Sequence, residues 1–453
     1  MTLDFQTTDL LADALRVIER GFSHLPDFSP SLDLQDVRNA LTAAAERMRD
    51  NFPYHHPLYV GQMLKPPHPA ARLAYALAMC LNPNNHALDG GRASSAMEKE
   101  AVAQIAGMFG WETHLGHLCG GGTMANFEAL WVARELRPGK SVAASAQAHY
   151  THSRLAAVLG VPFTPISVDS RGRMSVPSLE SALDDGQVST VVVTMGTTAT
   201  GSIDPLPQIL ALRDHFDFRV HVDAAYGGYF TLAGNLNEET RRAFDQIEKA
   251  DSIVIDPHKH GLQPYGCGCV LFRDPGVGRF YRHDSPYTYF SSPELHLGEI
   301  SLECSRPGAS AVALWTTMRL LPLERGGAFA GGLETGREAA LTLYEALGRD
   351  ARFVPLFPPE LDIVVWAVRA ASASQASARA RLLFETAAKH DLHFALATVP
   401  PNMAEPAAPV ATWDTDGLLC LRACVMKPEH REWMPEILAR LDAAARGIDA
   451  DHR

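Results

Sequence analysis

The stretch DSIVIDPHKHGLQPYGCGCVLF, residues 251–272, carries the reading of the whole chain. Two apolar, β-branched runs in it, Ser252–Asp256 and Gly268–Phe272, read as strands. Between them Asp256-Pro-His-Lys259-His-Gly261 and the turn QPYGCG form a loop. In an open α/β sheet, ligands bind beyond the carboxyl ends of the strands, so this loop places Lys259 where a ligand would sit. Upstream, Val188–Thr194 and Arg219–Asp223 read as further strands, separated by the helix-like segments Pro207–His215 and Glu238–Lys249. That alternation predicts an α/β fold built on a large, mostly parallel sheet with helices on both faces.

Working outward, a helix is expected over Ala96–Phe109, then a Gly-rich turn, Gly120–Thr123, leading into a helix near Met124. Residues 1–60 read as a helical arm broken at Pro26–Pro30, with Leu10, Leu11, Ala14, Leu15 and Ile18 at helical spacing. The stretch NFPYHHPLYVGQMLKPPHP, residues 51–69, is too polar and Pro-rich for a buried helix and is expected to line a cleft or cross a surface. A long helical region begins near Pro307, and LDIVVWAV, LHFALA and GLLCLRACV look like strands of a smaller C-terminal α/β unit. The expected division is 1–60 as the arm, 61–325 as the large domain and 326–453 as the small domain.

Composition narrows the function. The 453 residues are 46% hydrophobic and 20% charged, which excludes disorder along most of the chain. With 40 Lys+Arg against 52 Asp+Glu the net charge is −12, which argues against a nucleic-acid or anionic-membrane partner. The N-terminus lacks the pattern of a secretory leader, and the apolar stretch Ala70–Leu81 is interrupted by Arg72 and too short to span a bilayer. Seven cysteines without a CxxC pair suggest reduced thiols and a cytoplasmic home.

Four strand ends in a row carry chemistry. Lys259 follows one strand, and Asp223, in HVDAAY, ends another. Thr194-Met-Gly-Thr-Thr198-Ala-Thr-Gly201 ends a third, and Ala148-His149-Tyr-Thr-His152 follows the strand-like SVAASA. The turn before Met124 offers backbone N–H groups that suit a phosphate, although it lacks the GK[ST] of a Walker loop. Taken singly each has an ordinary explanation: a surface lysine, a capping loop, a hydrogen-bonded histidine. His258 and His260 form an HxH pair, but a zinc site needs further ligands and no cysteine set or HExxH supplies them, so no metal is expected. Taken together, an amine for a Schiff base, a carboxylate for a ring nitrogen, a phosphate cradle and a stacking group are the parts that pyridoxal phosphate needs.

The motifs GGGTMANFEAL, AHYTHS, TMGTTATGSIDPL, HVDAAYGG, DPHKHGLQPYGCG and ECSRPGASAVALW, in this order, resemble those of the group II pyridoxal-phosphate-dependent amino-acid decarboxylases, which include the glutamate, aromatic-amino-acid and diaminobutyrate enzymes. The resemblance runs over about residues 50–325, with a shorter match at Leu421–Pro428. It implies a fold-type I architecture with a seven-stranded sheet, an L-amino acid substrate and a homodimer with shared active sites. It implies that Lys259 carries the cofactor as a Schiff base, that Asp223 pairs with the ring nitrogen, that Ala225 packs under the ring and that His149 stacks above it. Gly122, Thr123 and His258 would hold the phosphate, Thr198 would reach the ring, and Ser305 would reach the phosphate of the neighbouring subunit. Arg422 would bind the substrate carboxylate, its fork matching both oxygens. Gln62 would meet the substrate side chain, with Lys65 suiting an acidic one and Tyr54 and Tyr59 an aromatic one. A mobile loop in the family carries a tyrosine that protonates the product carbon; here Tyr287 and Tyr289 are offered, with His149 as the alternative donor. Other pyridoxal-phosphate reactions on this fold stay open at this point: a decarboxylation-dependent aldehyde synthase, a C–C lyase or an aminotransferase.

Overall fold

The computed structural model describes residues 5–28, 31–86, 90–282 and 301–450. Two helices, α1 (Phe5–Gly21) and α2 (Leu34–Met48), form the arm. The Asp33 side chain caps α2 by accepting the N–H groups of Gln35 and Asp36. None of the residues of α2 is buried, and Leu10, Val17, Leu34, Leu41 and Met48 lie bare on the arm. Then follow α3 (Pro69–Met79), where the sequence shows its longest apolar run, and α4 (Arg92–Met108).

The alternation expected around Lys259 is present. In chain order the elements are β1 (Leu115–Cys119), α5 (Gly122–Leu136), β2 (Ser141–Ser145), α6 (Thr151–Leu159), β3 (Phe163–Ile166), α7 (Val176–Leu183), β4 (Val188–Thr194), α8 (Leu206–Ala211), β5 (Arg219–Asp223), α9 (Glu238–Phe244), β6 (Ser252–Ile255) and β7 (Gly268–Phe272). The helices foreseen at 207–215 and 238–249 are shorter and end in single 3-10 turns, Leu212–Asp214 and Ile247–Lys249. The seven strands lie in the order β1-β7-β6-β5-β4-β2-β3. The pairs from β3 through β6 are parallel, and β7 is antiparallel to both its neighbours. Every residue of β2, β4, β6 and β7 is buried, as expected where helices cover both faces. The register sets Thr194 beside Asp223 and Asp223 beside Val254, so the loops after β4, β5 and β6 open at one edge.

Beyond β7 come α10 (Gly308–Leu320), α11 (Ala328–Arg349), β8 (Phe353–Pro355), β9 (Ile363–Val368), α12 (Ala373–Lys389), β10 (Ala395–Val399), β11 (Leu418–Cys424) and a last helix, α13 (His430–Ala450). The four strands pair antiparallel in the order β10-β11-β9-β8. Trp366, Phe394, Leu343, Leu383, Leu421 and Ile437 make their core. The polar, Pro-rich stretch near residue 60 joins this sheet: the Val60 N–H donates to the His393 carbonyl at 2.9 Å and the Cys424 N–H to the Val60 carbonyl at 2.7 Å. Among the described residues no helix is long and apolar enough to cross a membrane.

Candidate active site

The loop between β6 and β7 is built tightly. A Cβ on Gly261 would lie 2.5 Å from both the Pro257 Cα and the Tyr229 hydroxyl, so only glycine fits there. The next residue, Leu262, has φ of 65°, a strained conformation for a branched side chain. This geometry turns Lys259 into a cavity of about 610 Å³, where its Nζ lies 3.0 Å from Asp256 Oδ2. The same cavity is lined by Gly122, Thr123, His149, Thr198, Asp223, Ala225 and His258. The structure therefore brings together the candidates from five separate motifs.

Asp223 ends β5 and is 5% exposed. Burial alone would raise a carboxyl's pKa, but here the His152 imidazole, the Lys259 ammonium and the Ala225 N–H hold Asp223 well below the usual carboxylate range. His152 Nε2 is 2.8 Å from Asp223 Oδ2, and the Ala225 N–H donates to Oδ1 at 3.1 Å. His149 is half-buried, its Nδ1 accepting the Thr151 N–H at 3.3 Å, and burial lowers its pKa. The His258 Nδ1–H donates to the Cys267 carbonyl at 2.8 Å, and burial lowers its pKa as well.

Beneath the first turn of α5 runs a buried chain that sequence reading missed. Asn126 Nδ2 donates to the Gly122 carbonyl at 2.9 Å, Asn126 Oδ1 meets His221 Nε2 at 2.8 Å, and His221 Nδ1 meets Ser252 Oγ at 2.8 Å. Burial drives His221 down to about 3, so it stays neutral and welds the helix start to β5 and β6. Glu303 also escaped notice: its Oε2 accepts the Gly120 N–H at 2.9 Å and it lines the cavity. Its segment is anchored by Arg306, which donates to Glu98 Oε1 at 2.7 Å and to the Leu118 carbonyl at 2.6 Å.

Ser305, Arg422, Gln62 and Lys65 lie outside this cavity. Ser305 is exposed and its Oγ accepts from Asn84 Nδ2 at 3.2 Å. Arg422 is buried on β11, with Nη1 3.5 Å from the Oε1 of Gln62, itself exposed. Lys65 is turned into a separate cavity, where its Nζ points to the Met426 carbonyl at 3.4 Å. Tyr287 and Tyr289 lie outside the described residues.

The residues fit pyridoxal phosphate on the structure's own terms. An amine, an ionised carboxylate, an imidazole and the amide start of a helix face one cavity. The Gly-rich turn has no room for side chains, since a Cβ on Gly122 would lie 2.7 Å from Asp256 Oδ2. The amide of Gly120 already takes a carboxylate from Glu303, so this loop accepts anions.

The profile of the pyridoxal-dependent decarboxylase conserved domain matches residues 131–368, which include His149, Asp223 and Lys259. The chain belongs to this family. It is a pyridoxal-phosphate-dependent amino-acid decarboxylase. It is 28% identical to the L-tyrosine decarboxylase of Enterococcus faecium, over 77% of this chain and 74% of that one. It is 29% identical to the L-aspartate decarboxylase of Thermococcus kodakarensis, over 61% of this chain and 71% of that one. Among solved structures, Oryza sativa TDC with PLP and tryptamine superposes with a TM-score of 0.77 at 19% identity, covering 99% of both chains, a likeness of fold.

Proposed function

We propose that this decarboxylase removes the α-carboxyl group of an L-amino acid with an aromatic or acidic side chain, releasing CO₂ and the amine, with the cofactor held on Lys259 as a Schiff base. The observation that carries this reading is the meeting of Lys259, ionised Asp223 and His149 around one cavity at the start of α5. The relatives named as tyrosine and aspartate decarboxylases support the two side-chain classes.

When bound, pyridoxal phosphate supplies a conjugated ring that accepts the electron pair of the breaking bond. Asp223 keeps a proton on the ring nitrogen, because an ionised carboxylate at that position favours the charged ring. The amides of Gly122 and Thr123, with His258, would hold the phosphate. Ala225 would leave room for the ring, Thr198 would reach it and His149 would stack on it. Arg422, which stands outside the cavity with Gln62 at 3.5 Å, is the residue proposed to bind the substrate carboxylate, and His149 would return a proton to Cα. The apolar residues left bare on α1 and α2 support a homodimer, in which Ser305 serves the phosphate site of the second copy. The predominance of buried thiols among the seven cysteines, none in a disulfide, suits a cytoplasmic enzyme.

Product analysis tests the reading. The holoenzyme incubated with a panel of L-amino acids should release CO₂ matched by amine from a tyrosine-like or aspartate-like substrate. CO₂ matched by aldehyde and hydrogen peroxide would replace the decarboxylase reading with that of an aldehyde synthase. Lys259→Ala should abolish turnover in a protein that stays folded; retained turnover would refute the role of Lys259.

A further inference from the structure

We propose that His152 is a positioning residue that fixes the plane of the Asp223 carboxylate toward the cofactor's ring nitrogen, a proposal resting on the assignment of Asp223 made above. His152 sits in the first turn of α6, its own N–H bonded to the His149 carbonyl at 3.1 Å. The two histidines of HYTH therefore leave the chain one turn apart and do different work. His149 lines the cavity, whereas His152 is fully buried behind Asp223.

The proton can be located by elimination. An ionised carboxylate only accepts, so the 2.8 Å contact requires the hydrogen to be on His152 Nε2. The other carboxylate oxygen accepts the Ala225 N–H. One donor on each oxygen, from different elements, stops rotation about the bond to the carboxylate. Nothing else accounts for His152. Its Nδ1 has no hydrogen-bond partner among the described residues. Burying an imidazole with one edge unpaired is unfavourable, and a phenylalanine of similar size would avoid that loss. The bond to Asp223 is what the histidine offers in return. Its neighbour His221, with ring centroids 6.4 Å apart, has both nitrogens engaged by Asn126 and Ser252 and cannot substitute. The other titratable groups around Asp223, Lys259 and His149, line the cavity and stay available to substrate and cofactor.

The test compares His152→Phe, which keeps the bulk and removes the donor, with His152→Gln, which restores an N–H at similar reach. Each holoenzyme is measured for kcat and KM by CO₂ release, for pyridoxal phosphate affinity by absorbance titration, and for the bound cofactor's visible band across pH. His152→Phe should lower kcat about 10- to 100-fold with KM within threefold. It should weaken cofactor binding severalfold and make the band sensitive to mild acid, as Asp223 protonates more easily. His152→Gln should recover most of each loss. Should the Phe variant not fold, His152→Leu against His152→Gln gives the same comparison. Wild-type kcat, affinity and spectrum without the donor would overturn the proposal, as would equal impairment with and without it. Unchanged turnover in Asp223→Asn would instead overturn the assignment of Asp223 itself.

Discussion

A carboxylate that is 5% exposed stays charged only if donors surround it, and Asp223 has donors on both oxygens and an ammonium nearby. Asp223→Asn turns one acceptor into a donor facing His152 or Ala225 and removes the charge proposed to face the ring nitrogen. We expect kcat to fall about 10²- to 10³-fold, the scale on which preorganised electrostatic groups act. Steady-state CO₂ release at saturating cofactor checks this, and a kcat within threefold of wild type would contradict it. Lys259, Asp223 and His149 were legible in the sequence because each stands at or just past the end of an apolar run, where the fold class itself predicts ligands. His152, Asn126 and Glu303 were not legible because their partners lie 71, 95 and 183 residues away. Nothing local distinguishes a histidine that orients a carboxylate from one that caps a turn.

At the scale of elements, the Gly-rich turn and β7 are pressed together. A Cβ on Gly268 would fall 2.5 Å from the Gly121 carbonyl carbon and 2.6 Å from its Cα. Backbone cannot rotate away as a side chain can. Gly268→Ala should therefore destabilise the fold by about 1–3 kcal/mol, as overpacking does, and raise the dissociation constant for pyridoxal phosphate by displacing the cradle. Thermal unfolding and cofactor titration read the two effects, and normal cofactor affinity would show that the turn does not transmit the push. A second element-level prediction concerns Arg306, which ties the segment bearing Glu303 and Ser305 to α4 and β1. Arg306→Met leaves Glu98 buried without its counter-charge and should cost about 3 kcal/mol in denaturant unfolding. A loss under 1 kcal/mol would mean that Asn85 and the Leu118 N–H already satisfy Glu98. Strands such as Val188–Thr194 were readable to the residue because parallel strands buried on both faces have no polar alternation to blur their ends. The three-residue β8 was not, since its run is too short to carry a period.

For the whole molecule, pH links folding to buried imidazoles. His430, at the start of α13, is held down to about 3, first by burial and then by the nearby Lys427 ammonium, and its Nδ1 already accepts the Lys427 N–H. Its folded pKa lies below the unfolded value near 6.5, so the stability it contributes is complete above that pH and is lost as the pH falls toward 3. Asp204, raised to about 7 by burial, and Asp362, raised to about 6, work in the opposite direction and mask this slope in the native protein. They persist in His430→Gln and cancel in the comparison. The difference in unfolding free energy between native protein and variant should shrink by about 1.4 kcal/mol per pH unit below 6.5. A pH-independent difference would mean that His430 titrates normally. The molecule also has a feature that bears on its synthesis. Arg422 and Lys427 reach back 360 and 368 residues, to Gln62 and Tyr59. On a ribosome, every strand of the seven-stranded sheet and the Glu303–Gly120 link emerge more than a hundred residues before Arg422 is made. The cofactor cavity can thus take shape while the stretch around Tyr59 still waits, unpaired, for the last strand. Such distant pairings carry the largest loop-closure entropy and form late, so the nascent chain passes through a stage ready for cofactor but lacking Arg422, the residue proposed for the substrate carboxylate.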